Sequence, residues 1–196
     1  MKFRATPLPG VFVIVPDKST DERGHFARLY AKAEFARHGI AAEFATSAVS
    51  YNKLAGTLRG LHYQTAPFAE AKLVSCPRGR AWDVVVDLRP GSPAYGRWTA
   101  TEISAANGRA VFVPEGCAHG FQTLVRGTAI AYQLSSEYQA DFARGVRWDD
   151  PDLAIEWPYA EPAAISIVEP FTESSMSASG EMRAWAEMRS MRLTPS

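Results

Sequence analysis

Short runs of apolar or alternating apolar and polar residues recur about every ten to fifteen positions along the chain. Turn-forming residues separate them, as in Pro77-Arg78-Gly79 and Asn107-Gly108. Many short strands at even spacing, with few helical patterns between them, predict an all-β sandwich or barrel. The predicted strands are Val11–Val15, His25–Tyr30, Thr57–Tyr63, Ala71–Cys76, Ala81–Leu88, Trp98–Ile103, Ala110–Val113, His119–Leu124 and Ala129–Leu134.

Helical patterns occur at only two places. Ala33, Phe35 and Ala36 predict a short helix over Lys32–His38, and residues 181–196 have the composition of a helical tail. The small polar residues at 172–180 are typical of a linker. We therefore predict a single domain over residues 1–171, a linker over 172–180 and a C-terminal helical tail over 181–196.

Composition narrows the classes of function. The 196 residues include 21 Lys plus Arg and 21 Asp plus Glu, and this zero net charge argues against a nucleic-acid partner. No apolar run is long enough for a signal peptide or a membrane span, which argues against a membrane partner. Cys76 and Cys117 lie in apolar contexts with no CxxC spacing, so we expect free thiols in a cytoplasmic protein.

Four polar residues interrupt otherwise apolar strands: His62, Lys72, His119 and Tyr132. Considered singly, each is as consistent with a hydrogen-bonded core residue as with a site residue. Arg59 adds a constraint, because alternation along a strand would point Arg59 and His62 to opposite faces. If both serve one site, the strand must change register between them, and Gly60 is where a bulge is expected.

Six segments, taken together, resemble the dTDP-4-dehydrorhamnose 3,5-epimerase family. Ordered matches run from Arg23-Gly24-His25-Phe26 to Pro158, most of the predicted domain. The segments are Gly56–Gln64, Asp83–Arg89, Val113–Gly116, Ala118–Phe121, Arg147–Pro151 and Ile155–Pro158. The resemblance implies a cupin-type jelly roll that forms a homodimer, acts on a nucleotide-diphosphate sugar and uses no metal or organic cofactor.

The resemblance also implies a mechanism and its residues. The C4 ketone of a 4-keto-6-deoxy sugar acidifies the hydrogens at C3 and C5, so inversion needs a base on one ring face and an acid on the other. By resemblance, the base is His62, the acid is Tyr132, and Lys72 is a candidate for stabilising the enolate. Glu169 corresponds to the acidic partner of the base. The expected substrate-binding residues are Arg23, Arg59, His119 and Tyr138.

The sequence departs from the family pattern where family members mostly contact the nucleotide and phosphates or orient the base. These positions are Arg28, Thr46, Ala48, Ala143 and Val168. Because of these differences, the sequence does not determine which nucleotide base and which sugar the substrate carries. It also does not determine whether one or two centres are inverted.

Two other classes of function are consistent with the sequence. The first is a non-catalytic nucleotide-sugar binder that retains the chemical residues by descent. The second is a metal-dependent cupin isomerase or oxygenase, in which His62, His119 and Glu70 would supply the ligands.

Overall fold

A computed structural model describes residues 1–41 and 43–166. Glu169, the predicted linker and the predicted helical tail lie outside the described residues. Within that part of the chain, no helix has both the length and the apolar character needed to cross a membrane.

The elements are β1 (Lys2–Ala5), β2 (Phe12–Val15), β3 (Lys18–Asp21), β4 (Gly24–Ala27), α1 (Lys32–Ala36), β5 (Thr46–Asn52), β6 (Thr57–Gln64), β7 (Lys72–Arg78), β8 (Arg80–Asp87), β9 (Trp98–Ser104), β10 (Ala110–Val113), β11 (Cys117–Thr123), β12 (Thr128–Leu134), a 3-10 turn (Ala140–Phe142), β13 (Ala143–Gly145) and β14 (Ala164–Ser166).

The strands form two main sheets. The first has the order β1-β2-β10-β7-β12-β5, and the second has the order β13-β6-β11-β8-β9, with β14 paired in parallel to β6. Strands β3 and β4 form a separate two-stranded hairpin. Most neighbouring strands in the sheets come from distant parts of the sequence, as in a double-sheet jelly roll. The predicted all-β fold is confirmed.

The main apolar core lies between the two sheets. Val74 and Ile130 of the first sheet pack with Val85 and Phe121 of the second. Helix α1 covers part of the outer face of the first sheet through Phe35. Residues of the segment after β13 cover the outer face of the second sheet. Both sheets are therefore apolar on their inner faces, so a polar side chain pointing inward must find a partner there.

Some predicted elements differ from the structure. The strand predicted to reach Tyr30 ends at Ala27, because Tyr30 turns to pack edge-on against Phe35 and Phe44 beside α1. The sequence pattern also did not predict β5, whose outward residues are largely exposed.

Strand β6 contains the predicted change of register. Arg59 pairs with Phe121, and His62 pairs with His119, so β6 has two residues between these positions where β11 has one. The extra residue is a β-bulge. Because of it, Arg59 and His62 both point into the space between the sheets, as the sequence led us to expect.

Glycine is required at this bulge for two reasons. Gly60 has a φ of +113°, in the region that favours glycine. A Cβ at this position would also lie 2.5 Å from Gly120 Cα and 2.7 Å from the His119 carbonyl oxygen. Backbone atoms on β11 cannot move aside in the way a flexible side chain can.

We predict that Gly60→Ala lowers the free energy of unfolding by about 2–4 kcal/mol, because it adds a backbone clash to an unfavourable φ. Gly24→Ala is the matched control, since Gly24 has a similar φ of +132° and no atom within 4 Å of the added Cβ. Denaturant unfolding of both variants measures the difference. Equal losses would mean that the approach of β11 does not restrict position 60.

Candidate active site

Polar side chains from both sheets meet at one place in the inner space. Tyr132 projects from β12 of the first sheet, and His119 projects from β11 of the second. Their ring centroids lie 6.1 Å apart in an edge-to-face arrangement. His62 lies directly across from His119 in the β6–β11 ladder. The bulge therefore places the predicted base beside the pair of rings.

The surroundings of His62 favour its neutral form. Burial, followed by electrostatic interaction with Lys72, His119 and Arg59, lowers the pKa of His62 to about 4. At neutral pH this imidazole is unprotonated and has a nitrogen lone pair that can accept a proton.

The pKa of Tyr132 is shifted in the opposite direction. Burial, reinforced by the negative charge of Asp83, raises the pKa of the Tyr132 phenol above its usual range, and Arg59 opposes this only in part. The phenol stays protonated and can act as a proton donor. An unprotonated base and a protonated acid in one interior space are the pair that acid–base chemistry requires.

Asp83 is a member of this group that the sequence reasoning did not identify as a site residue. Its Oδ2 lies 2.8 Å from His119 Nε2, and both side chains are buried. The other oxygen, Oδ1, is buried without a hydrogen-bond partner among the described residues. A signal was available in the sequence, because an aspartate that begins the apolar run Asp83-Val84-Val85-Val86 needs a buried partner.

Two cationic side chains, Arg59 and Lys72, also lie in the space between the sheets. The Arg59 Nε donates to Asn52 Oδ1 on β5 at 2.8 Å, which links the bulged strand to the opposite sheet. The Lys72 ammonium contacts the carboxylate of Glu70, and both side chains are less than a tenth exposed. Lys72 is therefore already paired with a carboxylate, which its family role did not indicate.

Two predicted substrate-binding residues, Arg23 and Tyr138, lie outside the inner space. Arg23 is on the β3–β4 hairpin, where its exposed guanidinium is bound to Asp21 at 2.6 Å. Tyr138 is exposed on the segment between β12 and the 3-10 turn. Within residues 1–41 and 43–166, no contact joins Arg23 or Tyr138 to the group formed by His62, His119 and Tyr132. The binding roles of Arg23 and Tyr138 therefore stay predictions. Among the positions that depart from the family pattern, Ala48 is paired with Tyr132 across the β5–β12 ladder.

The metal-binding hypothesis is not supported by the arrangement of its residues. Over the described ranges, no three His, Cys, Asp or Glu side chains are grouped so that they could hold a metal ion. His62, His119 and Glu70 do not form the expected ligand set, since the Glu70 carboxylate contacts Lys72 and His119 contacts Asp83.

Comparison with known proteins gives consistent matches over most of the chain. The sequence model of dTDP-4-dehydrorhamnose 3,5-epimerase matches residues 5–179. The dTDP-4-dehydrorhamnose 3,5-epimerase of Sinorhizobium fredii is 42% identical over 158 residues, which cover 81% of each chain. The dTDP-4-dehydrorhamnose 3-epimerase of Streptomyces niveus is 38% identical, over 83% of this chain and 78% of that protein.

A solved structure matches the fold as well as the sequence. It is dTDP-6-deoxy-D-glucose-3,5-epimerase from Legionella pneumophila in complex with dTDP-4-keto-L-rhamnose. The TM-score is 0.79 and the identity is 34%, with 84% of this chain and 87% of that chain covered. The cupin-type jelly roll implied by the sequence resemblance is thereby confirmed, and the chain belongs to the dTDP-4-dehydrorhamnose 3,5-epimerase family.

Proposed function

We propose that the protein is an isomerase that inverts C3, C5 or both in a nucleotide-linked 4-keto-6-deoxy sugar. Such a reaction serves deoxysugar biosynthesis for polysaccharides or glycosides. The observation that carries the proposal is the group formed by a neutral imidazole, a protonated phenol and two cationic side chains between the sheets.

The chemistry follows from these protonation states. His62 removes the proton from the carbon next to the C4 ketone, and the C–H electron pair moves into an enolate. Lys72 and Arg59 are the positive groups available to stabilise the enolate oxygen. Tyr132 then delivers a proton to the opposite face of the carbon. Each inversion leaves His62 protonated and Tyr132 ionised, so solvent must return both groups to their starting forms.

The matched proteins support the substrate class. The Legionella pneumophila structure contains a dTDP-linked 4-keto sugar, and the Streptomyces niveus relative is named as a 3-epimerase. We infer a nucleotide-diphosphate sugar as substrate, with inversion at one or both centres. The substituted positions Thr46, Ala48 and Arg28 are where we expect differences in nucleotide recognition.

We predict that His62→Ala abolishes solvent deuterium incorporation at C3 and C5 of the substrate, because no other group is proposed to remove the proton. Tyr132→Phe is expected to retain incorporation and lose inversion, since it removes only the opposite-face acid. Mass spectrometry and NMR of 4-keto-6-deoxy sugars linked to several nucleoside diphosphates measure both.

Tyr159→Phe is the control, because the Tyr159 hydroxyl donates to the Leu124 carbonyl oxygen at 3.2 Å, away from the proposed catalytic residues. Normal inversion by Tyr132→Phe would show that another group is the acid. Binding of nucleotide sugar without exchange in the wild-type protein would favour the non-catalytic binder instead.

The pH profile gives a separate test of the base. Because the pKa of His62 is lowered to about 4, kcat/KM should stay constant as pH falls from 7 and decline only as pH approaches 4. Lys72→Met removes one of the charges that lower the pKa of His62, so the decline should move to higher pH. A wild-type decline centred near pH 6.5 would contradict the described environment of His62.

We further propose that the protein acts as a homodimer in the cytoplasm. Val49 and Tyr51 on the outer face of β5 are 68% and 53% exposed. Val49 also lines a cavity of about 320 Å³, together with Tyr132 and mainly apolar residues of the first sheet. Gln133 lines the same cavity, and its Oε1 is buried with no hydrogen-bond partner in the described part of the chain. A second copy packed on this face would cover the apolar residues and could supply that partner.

The proposed cytoplasmic location rests on the cysteines. The free buried thiols of Cys76 and Cys117 suit a reducing compartment.

We predict that Val49→Asp shifts the wild-type dimer towards monomer, because it places a charge on the face that a second copy would cover. Ile165→Asp changes an exposed apolar residue on β14 of the other sheet and should leave the dimer intact. Sedimentation equilibrium over a range of concentrations measures the mass. A monomeric wild-type protein would exclude the dimer, and a fully dimeric Val49→Asp variant would place the interface elsewhere.

A further inference from the structure

Glu70 is a buried carboxylate to which the proposed reaction assigns no role. It lies just before β7 and is 8% exposed, and its Oε1 contacts the ammonium of Lys72, two residues later. A buried carboxylate without a partner would be costly, and the pairing with Lys72 offsets that cost. The pair also fixes a lysine side chain whose four-carbon stem would otherwise sample many rotamers.

The second oxygen of Glu70 connects Lys72 to another strand. Gln64 Nε2 lies 3.3 Å from Glu70 Oε2, and Gln64 is the last residue of β6, two positions after His62. Glu70 therefore bridges the strand that carries the proposed base and the strand that carries the proposed enolate stabiliser.

The Gln64 amide extends this connection to the segment after β12. Its Nε2 also lies 3.1 Å from the carbonyl oxygens of Glu137 and Phe68, and its Oε1 accepts from the Gln139 N–H at 2.6 Å. The Glu137 and Gln139 groups flank Tyr138, a predicted substrate-binding residue. These contacts thus join the 137–139 segment, Gln64, Glu70 and Lys72 in one continuous hydrogen-bonded network.

We propose that Glu70 is a positioning residue that holds the Lys72 ammonium where the enolate oxygen forms, with Gln64 fixing the orientation of the carboxylate. This inference rests on the proposed function. A donor stabilises a developing charge best when it is already in place, because no free energy is then spent on moving it during the reaction. Glu70 touches no reacting atom and acts only through Lys72.

The test is a double-mutant cycle with Glu70→Gln and Lys72→Met, measured as kcat for deuterium incorporation. Glu70→Gln keeps the shape and removes the charge. It should lower kcat by roughly 10- to 100-fold, the range expected when a catalytic group is misplaced by about an ångström, with little change in KM. In the Lys72→Met background, the same substitution should change kcat by less than about twofold, because the group it positions is gone.

Asp87→Asn is the matched control, because Asp87 is another buried carboxylate paired with a cation. Its oxygens bind Arg89 at 2.6 Å and 3.0 Å, and the pair includes none of the proposed catalytic residues. Asp87→Asn should lower the melting temperature. It should change kcat by the same small factor in the wild-type and Lys72→Met backgrounds. Glu70→Asp retains the charge on a shorter side chain, so it should recover part of the rate and serves as the test if Glu70→Gln does not fold.

The outcomes separate this inference from the proposed function. If the wild-type protein exchanges no hydrogen, the proposed function fails and the role of Glu70 falls with it. If the wild-type protein exchanges hydrogen, but Glu70→Gln lowers kcat by the same factor in both backgrounds or leaves kcat unchanged, only the role of Glu70 is overturned. A large rise in KM with unchanged kcat would also overturn it, since that would indicate a role in binding.

Discussion

The close approach of β6 and β11 at Gly60 and Gly120 is the constraint on which the site depends. A regular strand would send Arg59 and His62 to opposite faces, one into the apolar core and the other to the outer face. The extra residue in β6 turns both inward, and the glycine backbone allows the two strands to stay paired on either side of the bulge. Without this local irregularity the sandwich could still form, but its inner face would lack either the proposed base or one of the cations.

Concentrating charge between two sheets has a free-energy cost that the structure offsets by pairing. His119 is paired with Asp83, Lys72 with Glu70, and Arg59 with Asn52. Replacing a buried ion pair by apolar residues of similar size is often neutral or stabilising, so the Lys72–Glu70 pair is better explained by function than by folding. The same burial shifts the pKa of His62 downward and that of Tyr132 upward, which gives the two groups complementary protonation states at neutral pH.

Sequence reasoning succeeded where the physical signal was local. The alternating runs located the strands that carry His62, His119 and Tyr132, and the position of glycine between Arg59 and His62 indicated the bulge. It did not predict β5, because the outward residues Val49 and Tyr51 are exposed and the strand lacks a clear alternation. The strand is defined instead by its pairing with β12, about eighty residues away.

The sequence by itself determined the fold class, the family and the residue types available for acid–base chemistry, because strand periodicity, turn residues and ordered motifs are local properties. The tertiary structure decided the partners of those residues. Asp83 meets His119 across 36 residues of sequence, and Gln64 meets the backbone around Tyr138 more than 70 residues later. Hydrogen bonds and charge interactions act over a few ångströms, so their partners depend on which strands become neighbours, and that arrangement is fixed only when the whole chain has folded.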